Sequence, residues 1–210
     1  MQELCRRNLA WDDPIPQDLL EETIKWMEGV ESLKEVKVER CIKPNHANGQ
    51  AQLELHTFAD ASEYEYGAGV YARCKVGNQV KVQLLFGKSR VAPIQTVSVP
   101  RLELTAAVVA CQCYQFVVNE LDTQVNASFF WTDSQTVLKY LANTATRFKT
   151  FVAHRVAAIH EISDVSQWNY IPSSKNPADH ASRGVWPQEM CKIQHWLKGP
   201  DFLTEDIKNY

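Results

Sequence analysis

Four acids stand where an ordinary surface carboxylate has little reason to be. Asp60 ends the apolar run "LELHTFAD", Glu103 lies in "PRLELTAA", Asp133 follows "SFFWT" and Asp179 lies in "NPADHASR". A carboxylate at the mouth of a buried strand is costly to keep unless it has a partner. Each acid has an ordinary explanation when taken alone. An aspartate after a strand is a turn former, and acids in the first turn of a helix favour its dipole. Taken together they form an oxygen-only donor set, which suits magnesium or manganese. Two such ions about 4 Å apart can activate a water and stabilise a leaving oxygen in an in-line phosphodiester displacement.

That chemistry requires the chain to gather the four. Alternation and turn signals predict strands over 52–60, 66–76 and 79–91, with Gly77-Asn78 as a hairpin turn. A loop with Pro93 and Pro100 leads to a helix over 102–121, with Leu102, Ala106, Val109, Ala110, Cys113, Val117 and Leu121 along one stripe. A mostly apolar strand over 126–133 follows, then helices over 134–142 and 146–162. A short strand over 166–171 precedes a last helix that opens in "NPADHASRG" and ends near Gly184. Short connections make the first three strands an antiparallel meander, and the helical crossovers add two parallel strands. The expected fold is a mixed five-stranded α/β sheet with helices on both faces. Asp60 and Asp133 then end neighbouring strands, about 4.8 Å apart. Glu103 sits one position off the helical stripe, at the same sheet edge.

The bulk numbers fit this. The 210 residues are 45% hydrophobic, which suits one sizeable domain with extensions. No apolar run approaches the roughly 20 residues of a membrane span, and the N-terminus has no signal-peptide core. Six scattered cysteines without a CxxC pair read as free thiols in a reducing compartment. The expectation is an intracellular chain that binds neither a membrane nor a small-molecule cofactor.

Residues 1–50 carry 7 basic and 10 acidic side chains, residues 51–186 carry 12 and 11, and residues 187–210 carry 3 and 4. This shift divides the chain at the turn-rich stretch "KPNHANGQ". Residues 1–50 read as a connecting segment whose helix carries Leu19, Leu20, Ile24, Trp26 and Met27, with Gly29 weakening or ending it. Residues 51–186 form the domain with the acids, and 187–210 are a tail. Arg90, Arg101, Ser134 and Arg183 are the candidate substrate-binding residues. Arg147, Lys149 and Arg155 are expected on a solvated face of the helix over 146–162.

The segments "FADAS", "RLELTA", "WTDSQTVL" and "NPADHASRG" resemble the ribonuclease H domain of retroelement polyproteins. The nearest likeness is to the BEL/Pao group of long-terminal-repeat retrotransposons. It extends to "WDDPIP" (Trp11–Pro16), Trp26 and the closing "WLKGPDFL" (Trp196–Leu203), and so covers nearly the whole chain. The resemblance implies a catalytic, metal-binding quartet of Asp60, Glu103, Asp133 and Asp179, two Mg2+ or Mn2+ ions, and cleavage of the RNA strand of an RNA/DNA hybrid. It also implies a neighbouring reverse transcriptase domain as a partner, and an integrase region beyond the tail. Two family features are missing. The loop "IPSSKNPA" lacks the histidine that many relatives carry before the last aspartate, and no basic insertion separates the helices over 134–142 and 146–162.

Other site readings fail on spacing. "DAS" and "TDS" are not Asp-Ser/Thr-Gly protease triplets, and Cys191 with His195 makes at most half a zinc site. The rival reading is a catalytically silent retroelement-derived domain that binds nucleic acid or protein. The intact acids argue against that. The start at Met1 and the end soon after "GPDFL" point to a chain without an attached polymerase or integrase.

Overall fold

The computed structural model describes residues 2–44, 49–145 and 147–205. Helices α1 (Gln2–Arg6) and α2 (Gln17–Val30) come first, followed by strands β1 (Gln52–Ala61), β2 (Glu65–Val76) and β3 (Gln79–Val91). Helix α3 (Val99–Glu120), strand β4 (Ala127–Thr132), helices α4 (Gln135–Ala142) and α5 (Thr150–His160) and strand β5 (Trp168–Tyr170) complete the sheet layer. Helices α6 (Asp179–Arg183) and α7 (Met190–Lys198) close the chain. The sheet order is β3-β2-β1-β4-β5, with β1, β2 and β3 antiparallel and β4 parallel to both β1 and β5. This is the expected mixed sheet.

Strand alternation sorts the core onto two faces. Leu53, Leu55 and Ala59 of β1 pack with Ala106, Val109, Ala110, Cys113 and Val117 of α3. The other side of α3 meets Phe130, Val137, Leu141, Ile159 and Trp168 beneath α4 and α5. The predicted stripe of α3 is therefore buried except at Leu121, which is half-buried. By length and mean hydropathy (1.2) α3 could cross a membrane, but half of its most apolar stretch is buried inside the protein. It lies against β1, β2 and α5.

The second face holds Phe58, Tyr71, Trp131 and Ile171, and the segment read as a tail covers it. Phe202 and Leu203 are buried against these residues. Trp196 lies over Gly69 and Gly87, which are register partners on β2 and β3. A Cβ on either glycine would meet the indole at 2.7 Å. The buried Arg73 guanidinium donates to the Leu203 and Glu205 carbonyls at 2.8 and 3.0 Å and to Glu54 at 2.9 Å. Residues 190–205 are thus one layer of the folded body and not a loose extension.

Two helices differ from expectation. The helix expected over 146–162 begins at Thr150, because Lys149 is extended (ψ 153); Thr146 lies outside the described residues. Arg147 and Lys149 therefore precede the helix. Arg155 does not point to solvent. It stacks at 3.5 Å on the Phe151 ring and donates to Thr105 at 3.0 Å. Helix α2 continues through Gly29 to Val30, and its apolar side is open: Ile24, Trp26 and Met27 are 46%, 50% and 63% exposed.

Residues 36–41 run beside β3, held by side chains: Lys81 reaches the Glu39 carboxylate and the Cys41 carbonyl, and Gln83 reaches the Glu39 carbonyl. Within the proposed boundary stretch 43–50, residues 45–48 lie outside the described residues. We propose that residues 1–48 are dispensable for the fold. Their deletion is expected to leave a single cooperative unfolding transition; loss of cooperativity would place them in the core.

Candidate active site

In the register of β1 and β4, Phe58 stands opposite Trp131 and Ala59 opposite Thr132. Phe58 and Trp131 share the face that carries the C-terminal layer. Two residues further on, Asp60, still paired near the end of β1, and Asp133, just past β4, stand at the same end of the sheet. Their separation follows from the strand spacing, about 4.8 Å, and not from any contact between the two.

Asp179 reaches this edge by a specific anchor. Asn176 is buried, donates to the Ala59 carbonyl at 3.0 Å and accepts from the Ala178 N–H at 3.1 Å. This fixes the turn before α6 onto the end of β1. Gly67 makes the approach possible: it pairs with Asp60 across β1 and β2. A Cβ on Gly67 would lie 2.6 Å from the Lys88 carbonyl and 2.8 Å from the Ala181 Cβ. Helix α6 then ends at Gly184, whose φ of 73° is one that a side chain disfavours.

Glu103 joins from α3. Its carboxylate accepts the Ser134 hydroxyl at 2.6 Å, and Ser134 caps α4 by accepting the Val137 N–H at 3.2 Å. Ser134 is the next residue after Asp133, so this bond ties α3 to the end of β4.

Each carboxylate has its own local partner. Ser182 donates to Asp60, Ser173 to Asp133, Ser134 to Glu103, and Arg183 to Asp179 at 2.5 Å. Among the described residues no three acids, histidines or cysteines are close enough to make a closed metal cluster. The four acids lie around one sheet edge, and each is hydrogen-bonded to a partner of its own.

Charge still links the three aspartates. Asp60 is 8% exposed. Burial pushes its carboxyl up to about 7; the Ser182 hydrogen bond opposes the rise, and Asp133 and Asp179 reinforce it. A proton held by the native state and released by the unfolded chain makes stability fall as pH rises. For Asp60 that window runs from 3.8 to about 7. Asp60→Asn is therefore expected to raise the melting temperature in chelator at pH 8, and by much less at pH 5. Unchanged melting at pH 8 would show that the carboxylate is not under strain.

The donor set fits a hard divalent cation. It is four carboxylates, one of them buried and poorly compensated, and such a site gains most from a small doubly charged ion.

The candidate substrate residues are less uniform. Arg90 is exposed near the end of β3, and Arg101 is exposed at the start of α3, 5.1 Å from the Phe151 ring. Arg183 is on Asp179. Ser134 is buried, with its hydroxyl already committed to Glu103 and to the α4 cap. It positions Glu103 and has no free face for substrate. Ser182, Ser173 and Asn176 were not foreseen. Ser182 carries a signal in hindsight, since it falls three residues after Asp179 on the same short helix. His180 turns away, with its Nε2 3.1 Å from His195 Nδ1.

A mixed sheet of this order with acids at the end of its first and fourth strands defines a ribonuclease H-like protein. The profile of the family described as Pao retrotransposon-like RNaseH-like domain matches residues 1–134, and the chain belongs to that family. Among solved structures, the chain is similar to LC11 ribonuclease H1 in complex with an RNA/DNA hybrid. The identity is 15% and the TM-score 0.43, over 66% of this chain and 99% of that one. Ribonuclease H1 from Halobacterium salinarum NRC-1 is 13% identical with a TM-score of 0.40, over 63% and 95%. The foamy viral protease-reverse transcriptase in complex with an RNA/DNA hybrid is 12% identical with a TM-score of 0.37, over 83% of this chain and 23% of that one. No curated protein matches the chain.

Proposed function

We propose that this chain is a divalent-metal-dependent endonuclease that hydrolyses the RNA strand of RNA/DNA hybrids. The observation that carries this reading is Asp60, a mostly buried carboxylate that faces the charge of Asp133 and Asp179 at one sheet edge. A fold that only binds has no use for such repulsion, whereas a cation site depends on it.

Asp60 and Asp133 would hold both ions, Glu103 one of them and Asp179 the other. When bound, two ions supply an activated water and stabilisation of the leaving oxygen. The chain's own groups supply placement. Ser134 and Ser182 orient Glu103 and Asp60 by hydrogen bonds, and Arg90 and Arg101 offer exposed guanidinium groups to phosphates. Glu103 would also contact the region of the ribose 2′-hydroxyl, the feature that separates RNA from DNA. In this reading the protein acts inside the cell, in the setting of a reverse transcriptase. All six of its cysteines are free thiols.

One observation favours a second reading. The acids are each engaged by a neighbour and make no closed cluster, which suits a domain that binds hybrid without cutting it. A hybrid with its RNA strand end-labelled separates the two. Shortened RNA in Mg2+ or Mn2+, and intact RNA in chelator, supports the nuclease. Binding with intact RNA in every condition supports the silent domain.

A further inference from the structure

The three aspartates repel one another, and the chain carries a cation beside them. Arg183 lies one turn after Asp179 on α6, and its Nε donates to Asp179 Oδ1 at 2.5 Å. Asp60 and Asp133 lie near enough for their charge to reach its guanidinium. The side chain is nevertheless 69% exposed. It lines an open cleft of about 610 Å³ with Ser62, Glu63, Tyr64, Glu65 and Val99. So Arg183 neutralises the acid edge through a pair that solvent weakens, and it has room to leave. Its length and its planar fork of donors suit either a carboxylate or a phosphate.

We propose that Arg183 is a displaceable counter-cation. Without an ion it sits on Asp179 and quiets the repulsion at the sheet edge. When divalent ions take the carboxylates, the guanidinium moves into the cleft beside Tyr64 and Ser62, where it meets a phosphate of the nucleic acid. This rests on the metal-site reading given above. It adds that ion entry and phosphate grip are coupled through one side chain, so that the ion-free protein keeps its acids apart and its arginine occupied.

The test uses the full chain, its Arg183→Gln variant, which removes the charge, and its Arg183→Lys variant, which keeps it. Mg2+ or Mn2+ binding is followed by calorimetry, and thermal unfolding is recorded in chelator and in saturating ion. Removing a competing surface pair is expected to tighten ion binding about two- to fivefold in Arg183→Gln, with Arg183→Lys close to wild type. Arg183→Gln should melt lower than wild type in chelator, and the difference should close in saturating ion. Equal ion affinity in wild type and Arg183→Gln overturns the proposal and leaves the metal site standing. A melting deficit that persists unchanged in saturating ion also overturns it, because Arg183 is then a structural residue. If wild type binds no ion at all, the metal-site reading falls and the counter-cation with it.

Discussion

Asp133→Asn is expected to lower cleavage of an RNA/DNA hybrid more than about 100-fold, beyond the loss typical when only the supporting partner of a metal ligand is removed. Asp133 sits just past the end of β4, beside the end of β1, and its charge reaches Asp60. The amide keeps the size of the side chain and can still accept the Ser173 hydroxyl, so packing is preserved. What it removes is the negative charge that a divalent ion needs. The variant should therefore fold, melt at or above the wild-type temperature in chelator, and fail to cut. Cleavage within a few fold of wild type would remove Asp133 from the metal site, and the parallel neighbour of β1 would then have no part in the chemistry.

The second large effect is on stability. Leu203→Ala is expected to cost about 2–5 kcal/mol, the range for a fully buried leucine. Set against a total of about 5–15 kcal/mol for a typical domain, this change alone brings the fold close to its limit. Leu203 is 0% exposed, and its carbonyl accepts from the buried Arg73. Removing residues 190–210 altogether uncovers Phe58, Tyr71 and Trp131, and should abolish cooperative unfolding. Chemical denaturation of both variants checks this. A truncated chain with wild-type stability would show that the second sheet face needs no cover, and residues 187–210 would be a tail as the sequence suggests.

The two outcomes show where the sequence was legible. Strand alternation and the helical stripe of α3 come from short-range periodicity, and they predicted the sheet and the placement of Asp60 and Asp133. The C-terminal layer was not legible in this way. Its cover depends on Gly69 and Gly87 being small where Trp196 lies, a match between residues more than a hundred positions apart. The same limit applies at the site. The acids announce themselves by type and place, but Ser182, Ser173 and Asn176 matter only because tertiary contacts bring them to the carboxylates. Arg155 looked solvated from its place in an amphipathic pattern. Phe151, one helical turn earlier, takes it instead. On α2, Ile24, Trp26 and Met27 stay open to solvent among the described residues.

In the proposed function Asp60, Glu103, Asp133 and Asp179 act as one cation site although each is held by its own partner. Diffraction from crystals soaked in Mn2+, with data collected to bring out the anomalous signal of manganese, tests it most directly. The account predicts anomalous peaks at this sheet edge, within about 2.0–2.3 Å of carboxylate oxygens of Asp60 and Asp133, with Arg183 withdrawn from Asp179. A map with no manganese at this edge, or manganese bound only elsewhere on the surface, would contradict it.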